Sequence, residues 1–347
     1  MQVRHAMLLS IWTAMACGSR DGEPAGTARP ASDRHRTTTA KETRVFEVKS
    51  SDDLVNLRAE YMNLWESGFD GVFEVSFAEV PYAQAGWDLA PAPDSAKMTA
   101  PPTIDVVLRG KSSAPPPPAR VVARTLRIEG LILKLQYGVS ELTVRDSLAM
   151  KGCLVVDGRG MQHGQRLFSV LGVGDHGSSK TRPVTVAIED SWFVRNFQGP
   201  DPAPMIHFGS VETAPTYFES IEIADTAFLG DAFTTELDIH FAKRVTIARS
   251  LFYKTWPDGV LIATTSSGDV VVEDSVILVE DAAHISRHGD ESPPIKLAPS
   301  TRVYPKNGPE RAAMAEAEDV VAEAARMPAS VIPGPELKQK LDAALRR

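Results

Sequence analysis

The sequence predicts an all-β chain, a right-handed parallel β-helix with an N-terminal capping helix and C-terminal helices. Three observations point there. One phrase recurs along the middle of the chain, its apolar positions alternate with period two, and its spacing settles at 24 and then 25 residues. The clearest copy is Lys243–Tyr253, KRVTIARSLFY. Glu141–Met150 (ELTVRDSLAM), Val184–Val194 (VTVAIEDSWFV), Glu219–Leu229 (ESIEIADTAFL) and Asp269–Leu278 (DVVVEDSVIL) repeat it. Each reads apolar, any, apolar, any, Asp or Arg, Ser or Thr, any, apolar.

Such a period excludes heptads and helical-repeat arrays and suits coils whose strands stack about 4.8 Å apart. Chirality makes the crossovers right-handed. Leu126–Leu133 (LRIEGLIL) is a degenerate copy, with Gly130 where the others carry Asp or Arg. Superposition gives one inward column of Leu126, Leu142, Val186, Ile221, Val245 and Val270. A second holds Ile128, Val144, Ile188, Ile223, Ile247 and Val272, and a third Ala149, Phe193, Phe228, Phe252 and Ile277. The 44 residues from Val144 to Ile188 read as two turns, and the 16 from Ile128 to Val144 as an irregular one. Asp146, Asp190, Asp225, Arg249 and Asp274 fall at a turn, followed by Ser147, Ser191, Thr226, Ser250 and Ser275. Short polar residues recur there because turns need them, so this row is given no chemistry.

The 347 residues divide four ways. Residues 1–17 read as an export signal: Arg4 and His5 precede the apolar run Ala6–Ala16. Residues 18–43 are poor in apolar bulk and read as a flexible linker. Residues 44–305 hold the strands, and 306–347 two helices. Within the body, Ser50 with Asp53 has capping-box spacing, and Leu54, Leu57, Tyr61, Leu64 and Trp65 share a helical face. A stack of strands needs closing at its end, so this helix is expected to cap it; the alternative is an ordinary packed helix. Leu148/Met150, Trp192/Val194, Leu251/Tyr253 and Val276/Leu278 are expected to point outward as an apolar strip, covered by the helices at 309–326 and 335–347 or by a partner.

The net charge of −8 argues against a nucleic-acid partner. Two cysteines cannot build a disulfide framework; Cys153, in CLVV, reads as a buried inert thiol. Met1–Cys17 resembles a bacterial lipoprotein signal, which implies lipidation at Cys17, a membrane anchor and a place in the cell envelope. Cleavage after Ala14-Met15-Ala16, releasing a free exported protein, is the alternative.

From about Val45 to Tyr304 the repeat and its leading helix resemble the right-handed parallel β-helix proteins of the pectate-lyase-like superfamily. That resemblance implies the fold and a polysaccharide as partner. It transfers no catalytic residues, because neither the paired Asp motifs of the polygalacturonases nor the acidic calcium cluster with a following Arg of the pectate lyases is present.

A second repeat, MIHFG at 205–209 and DIHFA at 238–242, brings the candidate chemistry. With Ile206/Phe208 and Ile239/Phe241 inward, His207 and His240 face outward on adjacent coils, Asp238 shares their face, and Ser169 lies one coil earlier. Two imidazoles so close resist double protonation, so one is available as a base. The bland alternative is a pair of surface histidines. Between 151 and 182, Lys151, Arg159, Arg166, Lys180 and Arg182 outweigh Asp157 and Asp175; Arg159, Arg166 and Lys180 are candidates to bind an acidic sugar, or they solvate a loop. No metal and no cofactor is expected. Function reads as polysaccharide engagement, by a lyase or glycoside hydrolase, against a non-catalytic surface scaffold or a protein-binding module.

Overall fold

Backbone pairing runs parallel throughout, and along most of the chain each strand pairs with the strand three elements further on. The computed structural model describes residues 41–80, 87–91, 102–135, 140–157, 168–172, 183–195, 204–210, 218–230, 236–254, 260–289, 291–326 and 334–346. These lie in one unit, Lys41–Arg347. The chain is all-β in character, with long parallel ladders compatible with a β-helix or a solenoid.

Three ladders follow from this pairing. The first joins Val184–Glu189, Phe218–Ala224, Arg244–Ala248 and Asp269–Glu273. The second joins Leu154–Asp157, Trp192–Arg195, Ala227–Gly230, Leu251–Lys254, Val276–Val279 and Arg302–Pro305. The third joins Phe168–Gly172, Ile206–Ser210, Leu237–His240, Ile262–Thr265 and Ser286–His288. Successive turns therefore place like positions of the repeat above one another.

Each copy is apolar at alternate positions because one face of its strand is inside. Val186, Ile221, Val245 and Val270 stack in register, as do Ile188, Ile223, Ile247 and Val272, and all are buried. The third column centres on Phe193, Phe228 and Phe252, whose rings stack at 5.0 and 4.9 Å with planes 7° apart. Each such side chain contributes about 1.5–3 kcal/mol by leaving water.

The corner between the first and second ladders explains the polar row. Asp190, Asp225, Arg249 and Asp274 all have φ between 47° and 54°, the left-handed region. Short polar side chains tolerate it, and glycine does so best. The following hydroxyls form a ladder of their own. Ser191, Thr226, Ser250 and Ser275 each donate to the carbonyl two residues back, at 2.7–2.9 Å. Three of them also accept an amide from the turn before: Cys153 to Ser191, Thr226 to Ser250, and Ser250 to Ser275. Buried corner amides are thereby satisfied. Arg249 also grips Asp225 with two bonds, at 2.8 and 2.7 Å.

The copy at 141–150 is corrected by the structure. Leu148 pairs with Val186 and Met150 with Ile188, so these two residues, not Leu142 and Val144, continue the first two columns. Both are buried inward rather than facing out. Leu142 and Val144 belong instead to the third ladder, opposite Val170 and Gly172. The third column continues through Val155, not Ala149. The corner here is Gly152 (φ 61°) followed by Cys153, in place of Asp146 and Ser147. Lys151 and Glu189 are thus one turn apart although 38 residues separate them, where two turns are expected. Cys153 is buried, and burial pushes its thiol up to about 11, as an inert core cysteine requires.

Helix α1, Ser51–Glu66, starts where expected: Ser50 Oγ accepts the Asp53 amide at 3.4 Å, and Asp53 accepts the Lys49 amide at 2.8 Å. Leu54, Leu57, Tyr61 and Leu64 enter the main core, and the Tyr61 hydroxyl donates to the Val122 carbonyl. At the other end lie α2, Ala315–Arg326, and α3, Pro335–Arg346. Ala317, Val320, Val321, Ala324, Leu337 and Leu341 form one buried cluster with Leu154, Trp192, Val194, Leu251, Val276 and Leu278. The outward apolar strip of the second ladder is therefore covered by the chain's own helices, and Lys338 ties α3 to Asp190 at 2.6 Å.

Near the start of the body, Asp105 is held by Arg124 through two bonds of 2.7 Å, by Lys41 at 2.8 Å and by Thr125 at 2.9 Å. Burial pushes this carboxyl up, but the bonds from Arg124, Lys41 and Thr125 prevail and hold it at about 2. A depressed carboxylate stabilises above its unfolded value and stops doing so as pH falls through the folded one. Asp105→Asn should therefore lower stability by roughly 2 kcal/mol at neutral pH, less solvent screening, with the difference fading between about pH 4 and pH 2. Urea denaturation across that range checks it. Two of the left-handed glycines, Gly130 and Gly152, give a second expectation. An added Cβ at Gly152 meets nothing within 4 Å, whereas at Gly130 it falls 2.3 Å from the Gly110 carbonyl oxygen. Gly152→Ala should cost about 1–2 kcal/mol in the same assay, and Gly130→Ala distinctly more.

Candidate functional site

The third ladder builds the site. Ile206, Phe208, Leu237, Ile239 and Ile262 are fully buried in the core, so alternation turns His207, Asp238 and His240 to the opposite face. As expected, Ser169 lies opposite His207 one turn earlier. The partner one turn later is not His240, however. His207 pairs with Asp238 and Phe208 with Ile239, a shift of two residues from the alignment of the two IHF motifs. A two-residue shift keeps the face and changes the neighbours. Phe241 is correspondingly outside the inward column. It takes φ 56° at a second left-handed corner, where Ser266 stands one turn on. A bulky residue held there carries strain of about 1–2 kcal/mol immediately beside His240.

The shift makes Asp238 the centre of the cluster. His207 Nδ1 lies 2.8 Å from Oδ2, and His240 Nε2 lies 3.0 Å from Oδ1. The two rings meet edge to face with centroids 4.9 Å apart. Their side chains are 5% exposed for His207, 22% for Asp238 and 28% for His240. Burial pushes Asp238 up, but the bonds from His207 and His240, with their charge, outweigh it and hold the carboxyl well below the usual range. An ionised carboxylate accepts only, so the facing nitrogens, Nδ1 of His207 and Nε2 of His240, carry protons. In the neutral imidazoles this leaves Nε2 of His207 and Nδ1 of His240 as the basic atoms. His240, the more open ring, is the one placed to meet a ligand.

Gly209, two residues beyond His207 on the same face, makes room for the buried ring. A Cβ there would lie 2.2 Å from His207 Nε2. Among the described residues, His207, Asp238 and His240 are also the one group of three such side chains whose ligand atoms, all within 4.8 Å of one another, lie close enough to hold a metal ion. No sequence signal marked it as such, because the three ligands come from two strands whose register only the fold defines.

The same register position along the ladder also holds charged residues that sequence reasoning missed. Arg120, Glu141, Ser169, His207, Asp238, Ala263 and Arg287 follow one another in register, one per turn. Alternation could have flagged Arg287, but the strand Ser286–His288 departs from the repeat. Arg159, Arg166, Lys180 and Cys17 lie outside the described residues. Lys151, from the same basic stretch, pairs with Glu189 at 3.1 Å on the first ladder and takes no part in the cluster. No protein-family model, curated protein or solved structure matches this chain.

The packing of Gly209 against His207 gives a direct expectation. Gly209→Ala should displace the imidazole, break its bond to Asp238 and lower stability by about 1–3 kcal/mol. Urea denaturation measures the loss, and the His207 imidazole resonances in an NMR spectrum report the displacement.

Proposed function

We propose that this chain is an exported right-handed parallel β-helix of the pectate-lyase-like kind, closed at one end by α1 and anchored at the cell envelope through Cys17. Its outward third-ladder face engages a polysaccharide. The observation that carries this reading is the cluster itself: an ionised Asp238 gripping a buried and an open imidazole, in a row of polar groups that meets a linear polymer once per turn.

The roles divide by exposure. His240 acts as the base through Nδ1, Asp238 fixes its tautomer and orientation, and His207 holds Asp238 from below. Removing a proton from a sugar ring carbon next to a carboxylate, or from an attacking water, is the chemistry such a base supports. Arg159, Arg166 and Lys180 are proposed to neutralise an acidic sugar. The charged groups along the row, with Arg287 two turns beyond Asp238, favour a ligand that is itself charged.

Acidic and neutral glycans should be screened for binding and for new unsaturated or reducing ends, with His240→Ala and His207→Ala beside the unaltered chain. His240→Ala is expected to lower turnover at least about a hundredfold while leaving the fold intact. Full activity in both variants would remove the proposed base. Binding without turnover would leave a scaffold, and no binding to any glycan would end the polysaccharide reading.

A further inference from the structure

The charge around Asp238 differs from that around Asp105 and Asp225. Two other half-buried carboxylates are answered by permanent cations: Asp105 by Arg124 and Lys41, and Asp225 by Arg249. Among the described residues, Asp238 is bonded by two imidazoles and by no lysine or arginine. With both rings neutral, the cluster carries a net negative charge on a largely buried face. It also presents two nitrogens and a carboxylate, a ligand set that suits first-row transition ions better than calcium or magnesium.

We propose that His207, Asp238 and His240 form a binding site for one divalent transition-metal ion such as zinc. Four-coordinate zinc, with bonds of about 2.0–2.1 Å, holds its donors about 3.3 Å apart. To seat it, the N···O separations of 2.8 and 3.0 Å open by a few tenths of an ångström, and the wider separations in the set, all within 4.8 Å, draw in toward the same value. Each imidazole then moves its proton to its far nitrogen, and the metal takes the position that the two N–H groups now fill. Three protein ligands leave one position open, the arrangement of sites that bind water or substrate rather than of closed structural sites. The partial exposure of Asp238 and His240 puts that position toward solvent, while the buried His207 anchors the ion from beneath. Gly209 is the residue that allows the anchor its space.

The site deepens the functional reading above and rests on it only for what the ion would do. An ion here would take over from His240 the activation of water or of a sugar proton. The binding claim stands without any glycan.

The test uses the full chain, stripped with a chelator and dialysed, then titrated with Zn²⁺ by calorimetry and with Co²⁺ by visible absorption. One ion per chain is expected, with a ligand-field spectrum showing nitrogen and oxygen donors and a melting temperature that rises with added metal. His240→Ala and Asp238→Asn should each weaken Zn²⁺ at least tenfold. His240→Ala carries the test if a change at buried His207 prevents folding. Absence of binding, or binding that both variants retain at full strength, overturns the proposal. Glycan turnover by the stripped chain, with no effect of added Zn²⁺, would sink the ion and leave the imidazole base standing. Zn²⁺ bound in the absence of any glycan activity would do the reverse.

Discussion

Everything in this molecule depends on the parallel backbone pairing of each turn with the next. Unlike a hairpin, whose register a tight turn sets locally, stacked turns must find their register over 18 residues or more. Two features pin it here. The left-handed corners force a bend at the same place in each turn, and the buried hydroxyl that follows accepts an amide from the turn before. A slip would strand those amides inside the protein and break the aromatic stack.

That register also makes the site. His207 and Asp238 are 31 residues apart in sequence, and only stacking brings them to 2.8 Å. A register in which the two histidines faced each other would leave the carboxylate off to one side. The one observed puts the anion between them, with a proton pointing at each oxygen. The cluster is thus an arrangement of charge as much as of shape. Among the described residues its anion is answered by two imidazoles, where Asp105 and Asp225 are met by guanidinium or ammonium groups.

Where the sequence repeated faithfully, the fold was legible. Val184–Val194 through Asp269–Leu278 stack as their alternation implies, because each copy carries its own corner and its own apolar face. The helical spacing of α2 and α3 likewise announced a cover for the apolar strip. The copy at 141–150 misled for a physical reason. Arg145-Asp146-Ser147 imitates a corner, but the strand runs on to Lys151 and bends at Gly152, where glycine enters the left-handed region more easily than aspartate. The histidine motifs misled in the same way. IHF recurs in the sequence, yet pairing follows the core residues Leu237 and Ile239, and Phe241 has already turned the corner. The membership of the site could be read from alternation; its centre could not, because that required the register.

The most direct measurement is a crystal structure of the chain, refined well enough to place the third-ladder side chains. The account predicts parallel pairing of His207 with Asp238, an imidazole on each oxygen of that carboxylate, or an ion drawn between them, and His240 on the following diagonal. Antiparallel strands in this region, or a His207 that faces His240 directly with Asp238 turned to solvent, would contradict it.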